Sequence, residues 1–263
     1  MAKDLRITLL VFLLVMAVDA SPLGRPVEAL IQRGFDFFDP RPVQTVLLIG
    51  NSRTNFHDMP AMVRRMADSA HSTIRYSIIT RAWAGATFEE NWNDADLRSL
   101  LRRHWDYVIL QPESRAPASD VTLRSFQTFG EDLIEAAQST GSPAAMIVNW
   151  GYGESFFAGA PPGARAQFIA TTEEAARSLA SQTSVELIDT GAVWEEVHAA
   201  SPNLELYEDG NHPSLAGSYL SALMIYGFIS GRDVSKASYR PSGVDEPATK
   251  LIKTIVARHY GGA

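Results

Sequence analysis

Val43-Gln-Thr-Val-Leu-Leu-Ile-Gly-Asn-Ser-Arg-Thr54 reads as a buried strand running into a functional turn. Val46 to Ile49 is an unbroken apolar run, as expected of a strand covered on both faces. The run stops at Gly50, and Ser52 follows in the turn before a helical pattern. A hydroxyl placed there is exposed, with backbone N–H groups and a helix dipole aimed at any oxyanion formed beside it. The segment departs from the Gly-x-Ser-x-Gly elbow, because Thr54 occupies the place of the second glycine. A Gly-Asn-Ser turn can also be a plain connector, so its meaning depends on the rest of the chain.

Outward from this strand, short apolar runs alternate with longer amphipathic ones. Further strands are predicted at Ile74–Ile79, Tyr107–Gln111, Ala144–Asn149 and Val185–Ile188. Helices are predicted at Met59–Ala70, Ala95–Trp105, Leu123–Ser139, Ala164–Gln182, Val193–Ala200, Leu215–Ser230 and Val244–His259. Phe126, Phe129, Leu133, Ile134 and Ala137 fall on one face at helical spacing. Regular β-α alternation implies a three-layer α/β/α sandwich around a parallel sheet. Ligands of such sheets bind beyond the carboxyl ends of the strands, so reactive residues are expected just after strands.

A second segment, Tyr207-Glu-Asp-Gly-Asn-His-Pro-Ser214, sets Asp209 and His212 three residues apart around a glycine. A turn of that size can bring the carboxylate to Nδ1 of the imidazole and leave Nε2 free to accept a serine proton. Pro213 disfavours helical geometry at His212 and suits the first turn of the helix that follows. The competing reading is a polar loop that caps this helix and carries an incidental histidine.

Together the two segments resemble the SGNH hydrolase superfamily, the GDSL-type esterases and lipases. Gly50-Asn51-Ser52 stands where that family has Gly-Asp-Ser, and Asp209-Gly210-Asn211-His212 matches its final Asp-x-x-His block. The resemblance implies a flavodoxin-like sheet of five parallel strands. It also implies Ser52 as nucleophile, His212 as general base and Asp209 as its orienter. Arg81-Ala-Trp-Ala-Gly-Ala-Thr87 resembles the family's glycine block, so Gly85 is expected to donate a backbone N–H where a side chain would obstruct the acyl group. The usual Gly-x-Asn-Asp block is replaced by Leu110-Gln-Pro-Glu-Ser114, which resembles the Gln-Gly-Glu-Ser segment of SGNH carbohydrate O-acetylesterases. Ser52, Gly85 and Gln111 are accordingly expected to form the oxyanion hole, with Glu113 and Ser114 organising the loop. Asn51 departs from the family aspartate and carries no charge.

Composition narrows the function classes. The 263 residues are 46% hydrophobic and 20% charged, enough apolar material for a sizeable core. A net charge of −7 argues against broad nucleic-acid or anionic-membrane binding. No cysteine is present, which excludes disulfides, thiolate metal sites and a thiol nucleophile. Lys3 and Arg6, the apolar run Ile7 to Val18 and the small residue Ala20 read as a secretory signal over residues 1–20, cleaved before Ser21. Residues 21–263 are then one SGNH domain, introduced by an arm with Pro22, Pro26, Pro40 and Pro42, and the protein is expected to be periplasmic or secreted. The apolar run falls short of the roughly 20 residues that span a bilayer. No stable membrane insertion is expected after processing, although a retained anchor is the alternative.

The remaining candidates have plainer readings. His57, His71, His104, His198 and His259 show no metal-ligand spacing, and no metal or organic cofactor is implied. Trp83, Trp92 and Trp150 are read as core or rim packing rather than as stacking platforms for a sugar. Arg53 reads as half of a surface ion pair, the alternative being a hold on an anionic substrate group. The favoured function is hydrolysis of carboxylic esters, with small-molecule or O-acetylated carbohydrate esters as substrates. The alternatives are an O-acyltransferase with the same triad and a secreted carbohydrate-binding protein without catalysis.

Overall fold

The computed structural model describes residues 39–231 and 234–261. The expected signal segment and most of the proline-rich arm lie outside the described residues. From Val43 onward five strands alternate with helices: β1 (Val43–Asn51), α1 (Ser52–Asn55), α2 (Met59–Ser69), β2 (Arg75–Trp83), α3 (Phe88–Asn93), α4 (Ala95–Leu101) and β3 (Tyr107–Leu110). Next come α5 (Asp120–Ser139), β4 (Ala144–Ile147), α6 (Ala164–Thr183), β5 (Glu186–Ile188), α7 (Thr190–Ala200), α8 (Leu215–Ser230) and α9 (Glu246–His259). All neighbouring strands are parallel, in the order β2-β1-β3-β4-β5. The expected five-stranded α/β sandwich is therefore present.

Alternation along the strands divides the apolar side chains between two cores. Val46, Leu48, Ile109 and Ile147 face the core formed with α2, α7, α8 and α9. Leu47, Ile49, Leu110 and Met146 face the one formed with α3, α4, α5 and α6. Helix α8 is buried almost all round, with Tyr219 and Tyr226 inside, so it has no polar face to mark it as amphipathic.

Differences from the sequence expectation lie at element ends and have local causes. Helix α5 starts three residues earlier than its apolar face, because Ser119 and Thr122 form a reciprocal capping box. Helix α4 stops at Leu101, where Trp105 is held by Ser142 through its N–H at 2.9 Å and by the Leu100 carbonyl through its indole at 2.9 Å. The short helix α3 was not expected; its signal is the Thr87-x-x-Glu90 capping box immediately ahead of it. Strand β2 runs on to Trp83 because β1 pairs with it along its whole length. That extension carries the turn containing Gly85 to the sheet edge where β1 ends.

Candidate active site

The carboxyl end of β1 delivers Ser52 as the first residue of α1. Asn51 caps that helix, its Oδ1 accepting the Arg53 N–H at 3.1 Å. Gly50 is required by close packing, since a Cβ there would stand 2.2 Å from Thr54 Oγ1. The 207–213 turn is closed by a bridge between Tyr207 and Pro213 and by the Glu208 N–H on the His212 carbonyl at 2.9 Å. Ser214 then caps α8 through the Gly217 N–H.

These two elements meet, although 160 residues separate them in sequence. Ser52 Oγ lies 2.9 Å from His212 Nε2. His212 Nδ1 lies 2.7 Å from Asp209 Oδ2, while Asp209 Oδ1 accepts the backbone N–H groups of Asn211 and His212 at 2.9 and 2.7 Å. With a carboxylate on Nδ1, the neutral ring keeps its proton there and Nε2 is the acceptor for the serine hydroxyl. Burial alone would raise the Asp209 pKa, but the hydrogen bonds from His212 and Asn211 outweigh it and lower the carboxyl to about 2. Phe56 stacks on the other face of this unit, 4.3 Å from the His212 ring centroid.

The expected oxyanion donors separate into two groups. Gly85 lies at the cavity with φ +74°, and its N–H has no partner among the described residues. A Cβ at Gly85 would meet no heavy atom within 4 Å, so local packing does not require the glycine; its left-handed backbone does. Gln111, by contrast, is corrected: it is buried and does not reach the cavity. Its Oε1 accepts from the Asn51 N–H at 3.3 Å and the Thr54 hydroxyl at 3.0 Å. Its Nε2 donates to the Pro112 carbonyl and to Asn149 Oδ1, the latter at 3.0 Å. Reversing this amide would set donor against donor at the Asn51 N–H and acceptor against acceptor at the Pro112 carbonyl, which fixes its orientation.

The amide cluster also explains why asparagine replaces the family aspartate at position 51. Asn51 Nδ2 donates to the Ala86 carbonyl at 3.3 Å and the Pro112 carbonyl at 3.2 Å. A carboxylate could do neither. Asn149 Nδ2 donates to the Pro112 carbonyl as well, at 2.8 Å. The ends of β1, β3 and β4 are thus tied together under the serine by three side-chain amides.

No family model and no curated protein matches the sequence. Solved structures do. A candidate SGNH hydrolase from Slackia heliotrinireducens is 28% identical, with a TM-score of 0.56 over 70% of this chain and 97% of that one. In fold and motif order the chain resembles the SGNH hydrolases. A DUF4886 family protein from Bacteroides uniformis shares the fold at 15% identity, with a TM-score of 0.68 over 84% of this chain and 96% of that one. An acetylxylan esterase from Geobacillus stearothermophilus shares it at 16% identity, with a TM-score of 0.58 over 75% and 97%.

On this SGNH frame the mouth of the site is a cavity of about 820 Å³. Phe56, Tyr152 and Phe156 supply its aromatic wall, and Glu113, Thr122 and Ser125 lie among its polar residues. Tyr152 and Phe156 stack at 4.7 Å, and Tyr152 hydroxyl meets Ser114 Oγ at 2.7 Å. Glu113 is mostly buried; burial pushes its carboxyl above the usual range, although it accepts the Phe88 N–H at 3.2 Å. Of the tryptophans, Trp150 packs in the core against Trp194, 4.4 Å between ring centroids, and Trp83 is partly exposed at the end of β2. None of Trp83, Trp92 and Trp150 lines the cavity. No group of metal-binding side chains occurs among the described residues.

Arg53 departs most from expectation. It is only 3% exposed and makes no ion pair among the described residues. Nε and Nη2 both donate to Asn211 Oδ1, at 3.2 and 2.9 Å, and Nη1 donates to the Trp150 carbonyl at 2.9 Å. Its guanidinium lies over the rings of Trp150 and Tyr152, 4.6 and 5.4 Å from their centroids. Local spacing gave no sign of this, because burial of Arg53 is created by the 150–152 and 211 segments closing over it. The aromatic wall leaves no such sign either: Phe56 and Phe156 sit in single 3-10 turns and Tyr152 in a loop, all too short for periodicity.

Proposed function

We propose that the chain is a serine esterase in which Ser52, His212 and Asp209 act as one unit. The observation that carries this reading is the continuous chain of contacts from Ser52 Oγ to His212 Nε2 at 2.9 Å and from His212 Nδ1 to Asp209 at 2.7 Å. Ser52 Oγ attacks the ester carbonyl as its proton passes to His212 Nε2. The tetrahedral oxyanion is held by the N–H groups of Ser52 and Gly85. His212 then gives its proton to the departing alcohol, leaving an acyl-Ser52. Water, deprotonated by His212, attacks that acyl group; as the acyl–Oγ bond breaks, His212 returns the proton to Ser52 Oγ and the acid is released. Asp209 stays ionised throughout and orients the ring.

O-acylated carbohydrate is the proposed substrate class. The aromatic wall offers faces for a sugar ring, and a structural neighbour is an acetylxylan esterase. Export through residues 1–20, with Ser21 as the mature N-terminus, belongs to the same proposal; mass spectrometry of the exported protein should find that terminus, and a protein retaining Met1 in the cytoplasm refutes it.

The deciding experiment combines aryl-acetate hydrolysis with labelling by a fluorophosphonate probe. Wild-type protein should release acetate and carry the probe on Ser52, and Ser52→Ala should do neither. Full hydrolysis by folded Ser52→Ala would remove the mechanism. A sugar acceptor added to the assay distinguishes hydrolysis from transfer, since an acyltransferase would deliver the acyl group to the sugar in place of water.

A further inference from the structure

Arg53 is a buried cation whose partners are all neutral. Its acceptors are an amide oxygen and a main-chain carbonyl, and its faces are covered by two aromatic rings. A buried charge is ordinarily paired with an opposite one, because leaving it unpaired costs several kcal/mol. Asp209 favours the charged guanidinium only at longer range, and its oxygens are engaged by His212 and Asn211. The surroundings lower the Arg53 pKa to about 10 through burial, so the group remains protonated at neutral pH. Three of its five N–H bonds have partners, which leaves one on Nη1 and one on Nη2.

The position of this cation is specific. Arg53 contributes to the wall of the same cavity as Ser52, Tyr152, Phe156 and His212. It is bonded to Asn211, the residue adjoining His212, whereas Gly85 belongs to the turn after β2. In the proposed mechanism His212 protonates the leaving oxygen, so the alcohol departs on the His212 side of the scissile bond. We propose that Arg53 selects esters whose alcohol portion carries an anionic group, such as the carboxylate of an acidic sugar. The anion takes the two unused N–H bonds and supplies the missing counter-charge, while Tyr152 and Phe156 cover the ring that bears it. This inference deepens the esterase reading and rests on it for the direction of the leaving alcohol.

Two acetate esters of matched shape test it: 4-acetoxybenzoate, with a carboxylate on the alcohol side, and its neutral methyl ester. The quantity measured is the ratio of their kcat/KM values, compared between wild type, Arg53→Met and Arg53→Lys. Comparing ratios cancels the different leaving-group chemistry of the two esters. The anionic-to-neutral ratio should fall by about tenfold or more in Arg53→Met, the scale of one lost charge-assisted contact, and be partly kept in Arg53→Lys. Equal losses on both esters, with the ratio unchanged, would mean that Arg53 only holds Asn211 and would overturn the proposal.

Equilibrium binding of the two intact esters to Ser52→Ala gives a readout that needs neither turnover nor a folded Arg53 variant. The carboxylate should bind about tenfold tighter or more. No preference in that protein also overturns the proposal. Failure of the esterase reading has a different signature, which is absence of hydrolysis and of probe labelling in wild-type protein that still binds the anion.

Discussion

The Phe56 ring lies flat on the His212 imidazole, with 4.3 Å between centroids and 7° between planes. The backbone reaches this position through two consecutive left-handed residues, His57 at φ +53° and Asp58 at φ +51°. Neither is glycine, so the turn carries strain of order 1–3 kcal/mol per residue that surrounding contacts must offset. His57 is held from both ring nitrogens, by Ser218 Oγ at 3.0 Å and by the Glu208 carboxylate at 3.2 Å. The same loop that carries Asp209 thus also anchors the turn that presents Phe56.

Phe56→Ala should therefore lower kcat by about 3- to 10-fold, the scale of one lost aromatic stack, while Phe56→Tyr should retain most activity. Steady-state kinetics on a small aryl acetate checks this. A change confined to KM would mean that Phe56 lines the cavity without steadying the ring.

Gln111→Ala should act first on stability. It removes acceptors for the Asn51 N–H and the Thr54 hydroxyl, and a donor to the Pro112 carbonyl, all in the interior. Leaving such groups unpaired costs about 1–3 kcal/mol each, to be read as a lower urea midpoint. A direct oxyanion donor would behave otherwise: kcat would drop by about 10²-fold or more with the midpoint unchanged. Measuring both quantities on the one variant separates the roles.

Much of the architecture was legible because strand parity and helical spacing reflect burial directly. Val46, Leu48 and Ile109 fall to one core while Leu47, Ile49 and Leu110 fall to the other, and a bare apolar run already implies both. Ser52, Asp209 and His212 were legible because a turn chemistry marks each segment, and the structure brings all three together. Gln111 was misread since position after a strand fixes where a residue starts, not which way its amide turns. Asn51 and Asn149 decide that direction by presenting complementary donors and acceptors, and such pairing between strand ends leaves no periodic trace. The buried state of Arg53 was hidden for a similar reason, since its cover comes from segments about a hundred residues and more away.

Glu113 offers a test by pH. Burial raises its carboxyl pKa in the folded chain above the ordinary 4.5. A raised carboxyl costs nothing below the unfolded pKa, where both states hold the proton. The cost appears as pH rises and the unfolded chain ionises more easily. Glu113→Gln, which can still accept the Phe88 N–H, should therefore raise Tm at pH 7 relative to wild type and change it less at pH 4. A gain of equal size at both pH values would show that packing, not ionisation, sets the difference.

Asp209 has the opposite sign. Its folded pKa, about 2, lies below the ordinary 3.8, so its contribution to stability is present at neutral pH and fades as pH falls from about 4 towards 2. Through that interval and above, the carboxylate remains available to His212. Asp209→Asn should lower kcat strongly but less than loss of the ring or the nucleophile, because the amide keeps an acceptor and loses the charge that supports an imidazolium. Ser52→Ala and His212→Ala should each remove nearly all turnover on an aryl acetate. The double variant should be little worse than either single one, since a nucleophile without its base and a base without its nucleophile fail at the same step. Log-additive losses across the double variant would mean that the two residues contribute independently, and the 2.9 Å contact between Ser52 and His212 would then lose its catalytic reading.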